Sequence, residues 1–182
     1  MNAFTRRAIL AAPLLATLPA FAEDAGANTL VLTTAHGKTV IRLRPDLAPK
    51  HVAQIKKLVK RKFYDGLKFH RVIPGFMAQT GDPKGDGTGG SDLHNIPHEF
   101  SGSHFARGTL GMARASDPDS ANSQFFICTG DAGFLDGKYT VVGEVVSGMG
   151  AIDELAAGTE ANNGAVENPD KIVSLRFGAD EK

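Results

Sequence analysis

The chain has 182 residues, 42% of them hydrophobic and 22% charged, with a formal net charge of zero. Those values describe one soluble domain large enough to close a single core, and a neutral chain without long charge runs advertises neither nucleic acid nor an anionic membrane surface as partner. A single cysteine, Cys128, excludes an internal disulfide, so packing must hold the fold together.

Residues 1–22 read as an address. Arg6-Arg7 opens a charge-free apolar run over residues 8–21, and Ala20-Phe21-Ala22 supplies small residues for cleavage after Ala22. Pro13 and Pro19 interrupt the run, which is too short to span a bilayer. Thr5-Arg6-Arg7-Ala8-Ile9-Leu10 is similar to a twin-arginine signal, although two adjacent arginines also suit the general secretory route. The mature domain is then 23–182, slightly acidic, exported, most simply to a periplasm, and without a membrane span.

Residues 30–34 and 38–43 alternate as strands, joined across Ala35-His36-Gly37 as a hairpin. From Ala48, Val52, Ile55 and Val59 recur at helical spacing, while Lys56, Lys57, Lys60 and Arg61 take the other face; this helix is expected to end near Phe63. Short apolar runs follow at 69–73, 76–79, 109–112, 124–128 and 139–145. A second helix is expected over 149–157 and a closing strand over 172–177. Many short strands, Gly-rich turns and two helices predict a mostly β domain, a closed or nearly closed antiparallel barrel.

Several patterns that could carry chemistry fall short of it. Gly85-Asp86-Gly87-Thr88-Gly89-Gly90 lacks the Lys-Ser/Thr ending of a phosphate loop. Asp82 and Asp86 miss calcium-loop spacing, and Pro97 between His94 and His98 spoils a helical zinc pair. No Gly-x-Ser-x-Gly elbow is present, and Cys128 in its apolar run reads as a small buried hydrophobe. With neither metal, cofactor nor nucleophile suggested, catalysis should be non-covalent.

Phe69-His70-Arg71-Val72-Ile73-Pro74-Gly75-Phe76-Met77-Ala78-Gln79 resembles the signature of the cyclophilins. Gly87-Thr88-Gly89-Gly90, Gly111-Met112-Ala113, Ser123-Gln124-Phe125-Phe126-Ile127 and Phe134-Leu135-Asp136-Gly137-Lys138 follow in that family's order. The resemblance runs from about Thr29 to Phe177. It implies a closed eight-stranded antiparallel β-barrel capped by two α-helices, and a peptidyl-prolyl cis-trans isomerase (rotamase) that assists protein folding. The implied partners are proline-containing segments of exported proteins, met as a monomer.

Carried over position by position, the resemblance makes Arg71 the catalytic residue. Phe76, Met77, Phe126 and Leu135 become the wall of a proline pocket, and Gln79 and Gln124 the polar groups that orient substrate or arginine. Gly87 and Ala113 line an adjoining subsite, beside Arg114, which stands where well-known eukaryotic members carry Asn. Phe134 replaces a typical Trp and Tyr139 a His at the rim, as in the exported bacterial branch, which implies weak cyclosporin binding. His70 is expected to be structural. The intact set of Arg71, Phe76 and Gln79 favours an enzyme over a module that binds prolyl segments without turning them over.

Overall fold

A computed structural model describes residues 26–180. The export signal expected over residues 1–22 lies outside them. In chain order the strands are β1 (Thr29–Thr34), β2 (Gly37–Leu43), β3 (Arg71–Ile73), β4 (Met77–Thr80), β5 (Thr109–Met112), β6 (Phe125–Cys128), β7 (Val141–Ser147) and β8 (Ser174–Phe177). Helix α1 (Pro49–Lys60) follows β2, and the short α2 (Met149–Asp153) follows β7. None of the described helices is long and apolar enough to cross a membrane.

The strands form one antiparallel sheet in the order β3-β4-β6-β5-β7-β2-β1-β8. The sheet curls into a half-barrel but does not close, which corrects the expected closed barrel. Its edge strands β3 and β8 share no ladder. Irregular chain crosses the seam instead: Ile172 N–H donates to the Leu67 carbonyl at 2.9 Å, Phe69 N–H to Asp170 at 2.9 Å, and Val72 N–H to Gly164 at 2.9 Å. The physical reason is length. β3 holds register for only three residues, and what faces its outer edge is the 158–170 loop, which meets it at the single bridge Arg71↔Ala165.

Helix α1 begins with Pro at its first turn, where a missing N–H costs nothing, but Ala48 offers no side-chain cap. Glu99 supplies that cap from far along the chain. Its carboxylate accepts from Lys50 N–H at 3.1 Å and His51 N–H at 3.0 Å, and lies 2.6 Å from His51 Nδ1. The helix buries Val52, Ile55, Leu58 and Val59 in one core with strand residues such as Leu30, Ile41 and Phe125, as its periodicity predicts. It ends at Lys60 rather than near Phe63, because Lys62 turns left-handed (φ 55°) and stops the spiral. The second helix also stops early, at Asp153.

Strand alternation divides the packing into two cores. Val72, Ala78, Phe125 and Ile127 point inward to the large core beneath α1. Met77, Phe126 and Cys128 point to the opposite face, into a smaller cluster with Phe105, Ala132, Leu135 and Val141. Residues 125–128 are therefore buried on both faces, which is why this run reads as continuously apolar.

Candidate active site

A single row of strand partners builds the floor of the site. Arg71 on β3 pairs with Gln79 on β4, Gln79 with Phe126 on β6, and Phe126 with Gly111 on β5. Side chains that share a row share a face, so the cation, the amide and the ring line up across four strands. Gly111 completes the row by having no side chain. A Cβ there would lie 2.6 Å from Phe105 Cε1 and closer still to Phe126 Cζ.

Above this row opens a hollow of about 110 Å³, lined by Arg71, Phe76, Met77, Gln79, Ala113, Arg114, Phe126, Leu135 and Tyr139. A second hollow of about 170 Å³ shares Gln79, Ala113 and Arg114 with it and adds Gly87, Thr88, Gly89, Ala115, Ser120, Asn122 and Gln124. Of the twelve residues that the resemblance assigns to the site, only Phe134 lines neither hollow. It is 61% exposed and leans on Phe76 at the rim, ring centroids 5.2 Å apart. Tyr139 meets Phe126 edge-on at 6.0 Å.

Among the described residues, only neutral groups hold Arg71. Its Nε donates to the Asn163 carbonyl at 2.9 Å, Nη2 to Asn163 Oδ1 at 3.0 Å, and Nη1 to Gln79 Oε1 at a long 3.5 Å. Gln79 Nε2 donates on to Gln124 Oε1 at 2.9 Å, and Gln124 Nε2 to the carbonyls of Gly87 and Gly89 at 3.0 and 2.8 Å. This chain orients every amide and turns the Gln79 oxygen toward the guanidinium. Burial draws the Arg71 pKa below its usual value, but a guanidinium stays charged.

No motif in the sequence singles out Asn163. The only signal was the Asn163-Gly164 pair, a turn dipeptide, and Asn163 does adopt the left-handed conformation that Asn tolerates (φ 55°). Nothing local ties that turn to residue 71.

The Gly-rich segment 85–90 is a nest already filled by the protein's own anion. The buried Asp82 carboxylate accepts from the N–H groups of Lys84 at 2.8 Å, Asp86 at 3.1 Å and Gly87 at 2.6 Å. Burial alone would raise its pKa, yet these donors and Gly89 N–H hold it below the ordinary carboxylate value. A Cβ on Gly89 would strike that carboxylate. His70 is buried beside this loop, its pKa lowered chiefly by desolvation. Cys128 is fully buried and its pKa is pushed up to about 12 by burial, so it carries no thiolate for chemistry. Among the described residues no cluster of three or more His, Cys, Asp or Glu could hold a metal.

Residues 29–177 match the family model for cyclophilin type peptidyl-prolyl cis-trans isomerases. The chain belongs to that family. This cyclophilin is 54% identical to a Brucella suis protein named "Probable peptidyl-prolyl cis-trans isomerase", over 98% of this chain and 99% of that one. It is 40% identical to a peptidyl-prolyl cis-trans isomerase of Acinetobacter baylyi, over 83% and 86% of the two chains. Among solved structures it resembles a cyclophilin of Hirschia baltica, with TM-score 0.76 and 29% identity over 85% of this chain and 75% of that one. It also resembles a Cryptosporidium parvum cyclophilin described in the presence of the dipeptide Ala-Pro. There the TM-score is 0.75 and the identity 25%, over 82% and 98%. The enzyme class, peptidyl-prolyl cis-trans isomerase, follows from these matches.

Proposed function

We propose that the protein accelerates rotation about Xaa-Pro bonds in exported proteins during folding, with Arg71 stabilising the twisted amide. The observation that carries this reading is a guanidinium fixed by neutral groups beside a hollow walled in part by Phe76, Met77, Phe126 and Leu135. The planar amide resists rotation with a barrier of about 18–20 kcal/mol, and uncatalysed prolyl exchange takes tens to hundreds of seconds. In the twisted state the nitrogen lone pair is freed and can accept a hydrogen bond that the planar state offers only weakly. A donor aimed at that nitrogen therefore favours the transition state over the ground state.

A charged hydrogen bond contributes roughly 1.5–3 kcal/mol, on the order of ten- to a hundredfold in rate. The rest falls to the hollow. Phe76, Met77, Phe126 and Leu135 would grip the pyrrolidine ring and exclude water, while Gln79 steers the backbone. The Ala-Pro dipeptide accompanying the Cryptosporidium parvum relative supports a prolyl ligand. The Arg6-Arg7 start and apolar run support export and a periplasmic setting. Weak cyclosporin binding belongs to the same reading, since Phe134 at the rim has no indole N–H to donate, and the protein acts as a monomer.

The test is cis-to-trans exchange in a short Ala-Pro peptide with the purified protein and with Arg71→Ala. The variant should lose tenfold or more of the turnover while unfolding at the same denaturant concentration. Equal rates would remove Arg71 from the mechanism.

A further inference from the structure

Among the described residues, arginine pairing follows a rule with two exceptions. Arg42, Arg44, Arg61, Arg107 and Arg176 each face a carboxylate, from Glu144, Asp46, Asp92, Asp153 and Asp65 respectively. Arg71 and Arg114, the remaining arginines among the described residues, face no carboxylate among those residues, and both line the hollows. Among the described residues no acidic side chain lines either hollow. The carboxylates on bordering segments have partners of their own, Asp119 with His98 and Asp136 with His104. Asp86 accepts from Thr88 N–H at 2.8 Å and Oγ1 at 2.7 Å, and Asp117 accepts from Asp119 N–H at 2.9 Å.

Arg114 stands on the wall that the two hollows share. Its Nη1 donates to the carbonyls of Ala115 at 2.9 Å and Ser116 at 3.3 Å, and Nη2 to that of Lys138 at 3.1 Å. The guanidinium carbon sits 4.5 Å from the centroid of the Tyr139 ring. Carbonyl dipoles and a ring face immobilise a cation without neutralising it. A group already fixed loses little rotamer freedom when a ligand arrives.

We propose that Arg114, reinforced by the unneutralised charge of Arg71, selects prolyl segments carrying a carboxylate side chain within two residues of the proline. The inference rests on the proposed reading that the first hollow takes the proline. An extended chain advances about 3.3 Å per residue, so neighbours of a proline seated there pass along the shared wall and into the second hollow. A like-charged side chain on the same path meets two guanidinium groups and is disfavoured.

The experiment uses the whole protein and hexapeptides Ala-Ala-Ala-Pro-Ala-Ala in which each residue within two of the proline is replaced in turn by Glu, Gln or Lys. Exchange rates are read by NMR. For at least one position kcat/KM should be about threefold or more higher with Glu than with Gln, and lower with Lys, as partly exposed ion pairs allow. The preference should vanish in about 1 M salt and fall toward unity in Arg114→Gln. Equal rates for Glu and Gln at every position, with the all-Ala peptide turned over, would overturn the inference and leave the isomerase reading standing. A preference that survives in Arg114→Gln would overturn the assignment to Arg114. Failure to turn over any peptide would instead sink the isomerase reading, and this inference with it. The series on the unmodified protein decides the question even if the variant does not fold.

Discussion

Asn163 grips Arg71 with both of its oxygens, the carbonyl on Nε at 2.9 Å and the side-chain amide on Nη2 at 3.0 Å. The loop that closes the seam of the half-barrel thus also aims the candidate catalytic cation. Asn163→Gly keeps the left-handed backbone and the carbonyl but removes one of the two anchors. It should lower kcat by about three- to tenfold with little change in KM. Asn163→Ala should lose similar activity and in addition about 1 kcal/mol of stability, because alanine is strained at φ 55°. Peptide exchange kinetics and denaturant melts of the two variants separate these effects.

Gly111 is where ring packing leaves no room for a methyl group. In Gly111→Ala the new Cβ must displace Phe105 and Phe126, rings that stack 5.8 Å apart. Overpacking of this kind costs about 1–3 kcal/mol. A shifted Phe126 also deforms the wall of the first hollow, so KM should rise. Urea unfolding and a substrate titration check the two halves.

Removing Glu99 tests the long-range cap on α1. Glu99→Ala strands the N–H groups of Lys50 and His51 and leaves His51, whose side chain is fully buried, without its partner. The expected loss is about 1–2 kcal/mol by chemical denaturation. Turnover per folded molecule should be unchanged, because Glu99 lines neither hollow.

His104 ties down the segment that carries Leu135. Its Nδ1 lies 2.7 Å from Asp136 and its Nε2 2.8 Å from Asp131. Hydrogen bonds to Asp136 and then to Asp131 raise its pKa above the ordinary 6.5. A raised folded value means that the clamp contributes fully below pH 6.5 and is lost as the pH climbs through that value. Asp131 is lowered first by Gly133 N–H and then by His104, and Asp136 first by His104, so in strong acid the clamp fails as these carboxylates protonate. The Tm of His104→Gln should therefore lie below that of the parent in mild acid, and the gap should shrink toward about pH 9. Thermal melts of both proteins across that range give the answer, and a gap that widens with pH would contradict it.

Much of the architecture is local and was legible. The hairpin of β1 and β2, the amphipathic stripe of α1 and the run at 109–112 emerge close to their expected bounds, because each is written in residue spacing. Boundaries failed where a backbone event rather than periodicity ended the element. The left-handed Lys62 stopped α1, and expected strand residues such as Phe69, His70 and Phe76 fell outside β3 and β4. Of the twelve residues that the motifs suggest for the site, eleven line the two hollows and Phe134 sits on the rim.

By itself, then, the sequence determined the family, the chemical types available and which short runs become strands. The tertiary structure alone decided that Arg71, Gln79, Phe126 and Gly111 stand in one row, since a slip of one residue in any ladder would turn that side chain to the opposite face. It alone placed Asn163 on the guanidinium and Glu99 on the helix, and left the sheet open between β3 and β8. Gln79 with Phe126, Arg71 with Asn163 and Glu99 with Lys50 are joined across more than forty positions, and such register is set by how the two cores pack rather than by any pattern a local window contains.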